Sequence, residues 1–238
     1  EPPMIVRDRP SGLKLFLLLR GSVLQQIWKV LLINVLLATL VTFTHGVLFS
    51  QKITLTAIPF TLIGLPLAIF LGFRNTAAYD RYWEARKLWG ELLLRCRNLS
   101  RQCQSLIDLP QPVQPGAGRD DIRVRMVHRA IAFCHALRQQ LRGVPDRGEV
   151  QALLQPPEWQ ALQRSGSQTT LLMHHMGLDL QHCLRNGHIG EPLAASIDNT
   201  LSALVNAAAS CERIKSSPLP FSYTLLLHRT AYMYCFLL

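Results

Sequence analysis

Acidic residues are scarce in this 238-residue chain: 15 Asp and Glu stand against 25 Lys and Arg, for a formal charge of +10. Charged residues of both signs make up only 17%, against 49% hydrophobic, where an average soluble protein carries roughly 25% charge. This excludes a disordered chain, which needs low hydrophobicity together with high charge. Cysteine is sparse too, six in all, which excludes a small disulfide scaffold. Cys96, Cys103, Cys134, Cys183, Cys211 and Cys235 form no C-x-x-C pair and read as reduced packing residues. There is no G-x-S-x-G, no nucleophile–base pair and no Gly-rich phosphate loop, so enzyme chemistry has no support. Tandem repeats and β-alternation are also missing.

The shortage of charge is concentrated in two places. Residues 30–49 (VLLINVLLATLVTFTHGVLF) and 53–73 (ITLTAIPFTLIGLPLAIFLGF) contain no Asp, Glu, Lys or Arg. Each run is about 20 residues, the length at which a helix crosses a bilayer core. Pro59, Gly64, Pro66 and Gly72 in the second run are tolerable in a membrane helix, where neighbours re-satisfy the freed backbone groups. The competing reading is a pair of buried helices in a soluble protein. A third apolar stretch, 218–238, holds His228 and Arg229 and stops in mid-pattern. Both chain ends therefore read as limits within a longer protein, with more membrane segment expected after Leu238. Flanking cations set the orientation. Arg7, Arg9, Lys14, Arg20 and Lys29 precede the first run, and only Lys52 separates it from the second. Arg74, Arg81, Arg86 and Lys87 follow the second, and Arg213 and Lys215 precede the third. The expected division is an N-terminal cytoplasmic segment 1–29, two transmembrane helices within 30–73, a cytoplasmic region 74–215, and an incomplete third span 216–238.

Between the second and third spans the apolar period is helical. Tyr82, Trp83, Trp89, Leu92, Leu93, Cys96, Leu99, Cys103 and Leu106 recur at three or four, opposite Arg86, Glu91, Arg95 and Arg101. A Pro- and Gly-rich loop falls at 109–118. Helices are then expected over about 120–141, near 150–154, from Pro156 to Gly166, over 169–185 and over 191–215. Asp120 and Asp121 favour the positive end of the first of these, and Asn186-Gly187 makes the last turn. The fold class is all-α: long membrane helices continuing into a cytoplasmic helical region.

Histidine and arginine clusters are the candidates for binding chemistry. His174 and His175 point about 100° apart on a helix, and His128 and His135 lie two turns apart. Neither they nor His182 give the one-turn spacing of a helical zinc pair, so no metal site is expected. Arg119, Arg123, Arg125 and Arg129 sit at helical spacing among apolar residues without base-stacking aromatics. They read as a solvated or intersubunit face rather than a nucleic-acid site. In the second run, Leu65, Ile69 and Phe73 fall at i, i+4 and i+8 and share one helix face. Periodicity leaves two readings open for that face: a lipid-facing or helix-packing stripe, or rings around an axis that gate a pore by dewetting.

Three blocks resemble one family. Arg20-Gly21-Ser22, GLPLAIFLGFRNTAAYDRYWEARKLWG over 64–90, and CERIKSSPLPFSYTLLLHR over 211–229 resemble, in order, the motifs of the bestrophin ion channels, the prokaryotic branch above all. The resemblance implies a homopentamer with one axial pore, conducting small monovalent ions passively through a bacterial inner membrane. The chain's partners would be copies of itself, the bilayer and the permeating ions, with no nucleic acid. The family's hydrophobic neck falls on Leu65, Ile69 and Phe73, and its cytoplasmic aperture falls on Leu193, or on Pro192 with a one-residue shift. The family's fourth span and the acidic cluster behind it are not in this chain, so calcium gating does not carry over and no cofactor is implied. Sodium is expected ahead of chloride, with an anion channel as the alternative. Arg74 would favour anions if it faced the axis, unless it pairs with a carboxylate such as Asp80. A membrane-anchored helical scaffold or sensor is the reading from a different class.

Overall fold

The computed structural model describes residues 24–43, 47–48, 51–52, 58–110, 118–145, 148–218 and 221–237. Arg20-Gly21-Ser22, the cations ahead of it, and residues 44–46, 49–50 and 53–57 of the two apolar runs lie outside them. The chain divides into two units, residues 1–62 and 63–238.

In the first unit, α1 spans Leu24–Phe43. Val47–Leu48 (β1) and Gln51–Lys52 (β2) then form a two-residue antiparallel ladder, with Val47 opposite Lys52 and Leu48 opposite Gln51. This ladder departs from the expectation of one helical span through Phe49. Thr39 and Thr42 donate their hydroxyls to the carbonyls of Val35 and Ala38, which satisfies polar side chains within an apolar helix. Among the described residues, no helix is long and apolar enough to cross a membrane. The charge-free part of α1 covers 30–43 and that of the next helix 58–73, each short of about 20 residues.

α2 starts in the first unit and runs unbroken over Ile58–Leu106, with Pro66 inside it. The second unit continues with α3 (Ile122–Arg142), a 3-10 turn at Gln151–Leu153, α4 (Pro156–Arg164), α5 (Gln168–Arg185), α6 (Glu191–Ser216) and α7 (Phe221–Leu237). The described residues thus form seven α-helices, and the fold is all-α. Local chemistry sets the boundaries. Asp121 caps α3 by accepting from the Arg123 amide, and Gly143 ends it at φ 64°, a left-handed conformation that costs glycine nothing. The Ser167 hydroxyl accepts from the Thr170 amide at the start of α5, and Gly187, at φ 72°, turns the chain toward α6. Near residue 150 the expected short helix is the single 3-10 turn.

The core of the second unit is a set of helical stripes. Met126, Ala130, Phe133 and Leu137 of α3 meet Leu172, Met176 and Leu180 of α5 and Ile197, Leu201 and Leu204 of α6. Leu92, Leu99 and Cys103 of α2 and Leu162 of α4 complete it. Burial of each large apolar side chain contributes about 1.5–3 kcal/mol, so these stripes fix how α2 continues from the apolar run into the helical region.

Candidate functional site

α2 has two unlike faces in its first half. Gly64, Leu67, Phe70, Arg74, Ala77 and Arg81 are half-buried at spacings of three and four. A Cβ on Gly64 would lie 3.5 Å from the Tyr234 ring of α7, so this stripe is the side against which α7 rests. Arg81, two turns past Phe73, donates to the backbone carbonyls of Ser217 and Ile214 (2.5 Å for Ile214). One guanidinium thereby satisfies carbonyls that the C-terminus of α6 leaves without helical partners. Glu84 of α2 and Arg213 of α6 add an exposed ion pair at 2.6 Å.

Leu65, Ile69 and Phe73 lie on the other side, centred about 140° around the helix from the half-buried stripe at 100° per residue. They are 67%, 48% and 64% exposed. Three large apolar side chains in a row thus stay bare within the subunit, on a helix whose opposite face is occupied. The structure places all three neck candidates on one continuous helix, and Arg74 is not on their face. Among the described residues no carboxylate lies within ion-pair distance of Arg74, so the alternative of a pair with Asp80 is not seen.

The aperture candidate stands at the far end of the same helix. Leu193 and its neighbour Pro192 are exposed in the first turn of α6. Gln102 of α2 donates to the Ser196 carbonyl and hydroxyl at 3.3 and 3.2 Å, and the Asp108 amide donates to the His188 carbonyl at 2.8 Å. These contacts tie the start of α6 to the end of α2. The helix between Phe73 and Gln102 then sets about 45 Å between the neck candidates and the aperture candidate, at 1.5 Å per residue.

The arginines are corrected by the structure. Expected on a solvated or intersubunit face, they are engaged inside the subunit, and Arg123 and Arg129 are only 6% and 9% exposed. Arg129 donates through Nε to Glu158 at 2.7 Å and through Nη1 to Asp179 at 2.5 Å and the His175 carbonyl at 3.1 Å. Arg125 binds the same Asp179 with both ends of its fork, at 3.1 and 2.8 Å. His175 Nδ1 lies 3.0 Å from Glu158. Hydrogen bonding to Asp179 raises the Arg125 pKa, and Arg123 beside Asp121 holds that carboxyl below its ordinary range. Arg119 reaches the carbonyls of Leu154 and Ala152. Spacing alone could not find this network, because its carboxylates are on α4 and α5, far along the chain. Among the described residues, no group of His, Cys, Asp and Glu is placed to hold a metal ion.

Known proteins resemble this chain over most of its length. The model of the family described as bacterial/fungal bestrophin protein matches residues 4–238. A voltage-dependent anion channel-forming protein of Ralstonia nicotianae, RSc3414, is 38% identical over 232 residues, covering 98% of this chain and 74% of that one. The protein of the same description from Escherichia coli K12, YneE, is 37% identical over 236 residues, covering 99% and 74%. A crystal structure of a bacterial bestrophin homologue from Klebsiella pneumoniae, bearing a point mutation, superposes with a TM-score of 0.78 at 33% identity, covering 88% of this chain and 75% of that one. The Ralstonia and Escherichia relatives are described as channel-forming proteins, which sets the chain among ion channels rather than enzymes. The chain belongs to the bacterial/fungal bestrophin family.

Proposed function

We propose that this chain is the subunit of a homopentameric channel that passes small monovalent ions down their gradient through one axial pore. Leu65, Ile69 and Phe73 form its neck and Leu193 its cytoplasmic aperture. The observation that carries the reading is the bare face of α2: three large apolar side chains, exposed and in line, opposite the stripe that meets α6 and α7. Copies of that face around an axis make stacked apolar rings, which narrow a pore and expel water from it. Conduction of this kind needs no cofactor, and calcium gating is not part of this reading.

The same reading puts the protein in a bacterial inner membrane as a multi-pass protein, with the N-terminus and 74–215 in the cytoplasm. The charge-free runs 30–49 and 53–73 and the cations beside them support that topology. Nucleic acid is left out as a partner because the guanidinium groups of Arg119, Arg123, Arg125 and Arg129 are bound within the subunit.

Sodium ahead of chloride is the reading the subunit geometry supports. The neck face carries no fixed cation, since Arg74 belongs to the half-buried stripe, and Glu191 stands exposed two residues before Leu193. Anion permeation is the second reading, favoured by the names of the Ralstonia and Escherichia relatives. Purified protein in planar bilayers tests both. Unitary currents are expected, and the reversal potential across an asymmetric NaCl gradient should move toward the sodium equilibrium value. A shift toward the chloride value selects the second reading, and absence of current rejects the channel.

A further inference from the structure

The seam between α2 and α3 holds a pair of sulfurs that the channel reading does not use. Cys96 Sγ of α2 and Cys134 Sγ of α3 are 3.5 Å apart, and both residues are half-buried. Seven residues further along α2, Cys103 Sγ meets Met126 Sδ at 3.9 Å, eight residues back along α3. The two contacts belong to one antiparallel register. Leu92 and Leu99 on α2 and Ala130, Phe133 and Leu137 on α3 belong to the same buried cluster. Cys103 faces a thioether, which cannot form a disulfide, and so serves as an internal contrast.

We propose that Cys96 and Cys134 are a redox-active dithiol, closed to a disulfide by hydroperoxides and linking the pore helix α2 to α3. The sulfurs need to approach by about 1.5 Å to reach bonding distance. The Cys96 thiolate attacks one peroxide oxygen; an S–O bond forms, the O–O bond breaks, and the leaving hydroxide takes up a proton. The Cys134 sulfur then attacks Cys96. An S–S bond forms, the S–O bond breaks, and a second water leaves. Two thiols lose two electrons and two protons, and one hydrogen peroxide becomes two waters.

The roles follow from the surroundings. Either sulfur can donate in this contact; with Cys134 donating, the Cys96 thiolate is favoured and that thiol lies below its ordinary value. Burial pushes Cys103 up to about 12 and Cys183 up to about 11, and raises Cys211 as well. Among the described cysteines, the attacking thiolate therefore lies in this pair.

The test uses the whole purified protein in detergent, exposed to hydrogen peroxide, quenched by an alkylating agent under denaturing conditions and mapped by mass spectrometry. A Cys96–Cys134 cross-linked peptide is expected, lighter by two hydrogens and reversed by dithiothreitol. It should form roughly tenfold or more faster than any oxidation of Cys103, Cys183 or Cys211. In Cys134→Ser a sulfenic acid should collect on Cys96 and be trapped by a cyclic 1,3-diketone, while in Cys96→Ser the Cys134 thiol should stay reduced. Full alkylation of both cysteines after peroxide, or a disulfide from either to another cysteine, would overturn the proposal. These readouts need no ionic current, so they stand apart from the channel reading.

Discussion

The bare face of α2 and the charge network of α3, α4 and α5 invert the usual arrangement in opposite ways. One leaves Leu65, Ile69 and Phe73 uncovered, and the other encloses two guanidinium groups and two carboxylates. In the network every enclosed charge meets an opposite charge inside the same subunit, so its residues are accounted for by the fold. Leu65, Ile69 and Phe73 stay exposed among the described residues, and in the proposed channel their partners are the same residues of other subunits. Buried charge here is paired within the fold, while the exposed apolar face of α2 is what the proposed pore draws on.

Changes to the network should produce the largest losses of stability. Arg129→Ala leaves Glu158 and part of Asp179 enclosed without their main cation, at a cost of about 3–5 kcal/mol, read as a lower midpoint of thermal unfolding in detergent. A variant as stable as the parent would mean that water already screens the network and that the contrast with the neck is false.

Arg81→Ala acts on the occupied side of α2. It strips the carbonyls of Ser217 and Ile214 of their donor and should cost about 1–3 kcal/mol, with Arg81→Lys recovering part. An unchanged unfolding midpoint would remove the reason for assigning the half-buried stripe to structure.

Asp121→Ala is smaller, about 1 kcal/mol for a lost N-cap. Its pH dependence has a definite sign. The carboxyl titrates lower in the folded chain than in the unfolded one. Its contribution is therefore present above the ordinary carboxylate range and fades as pH falls below about 4. Parent and variant melting curves should differ near neutrality and converge in acid.

The neck itself should matter least to stability. Leu65→Ala, Ile69→Ala and Phe73→Ala each change an exposed side chain and should shift unfolding by about 0.5 kcal/mol or less. A loss as large as that of Arg129→Ala would place these residues in a core and remove the contrast between the two regions.

How much of this was legible in the sequence depended on range. The turn at Asn186-Gly187, the break at Gly143 and the acidic start of α3 are local signals, and each marks a real boundary. The shared face of Leu65, Ile69 and Phe73 needs only helical periodicity, and one unbroken helix provides it. Arg123 and Arg129 are not legible as buried, because helical spacing among apolar residues looks the same whether a cation faces water or a carboxylate from elsewhere in the fold. Arg129 finds Glu158 and Asp179 on α4 and α5 only through tertiary packing. Arg81 reads in sequence as a flanking cation, yet its role as a cap on α6 depends on contact far along the chain. Cys96 and Cys134 each read as a packing residue, and their adjacency comes from the register of two helices. The ladder at Val47–Leu48 was hidden by an apolar run that reads equally well as continued helix.

The central claim is that the face of Leu65, Ile69 and Phe73 constricts a pore. Single-channel recording of the protein with all three changed to Ala, beside the parent in the same bilayers, tests it most directly. Rings of small side chains widen and wet the neck, so unitary conductance should rise several-fold while the assembly keeps its size in solution. The same unitary current in parent and variant would show that the constriction lies elsewhere.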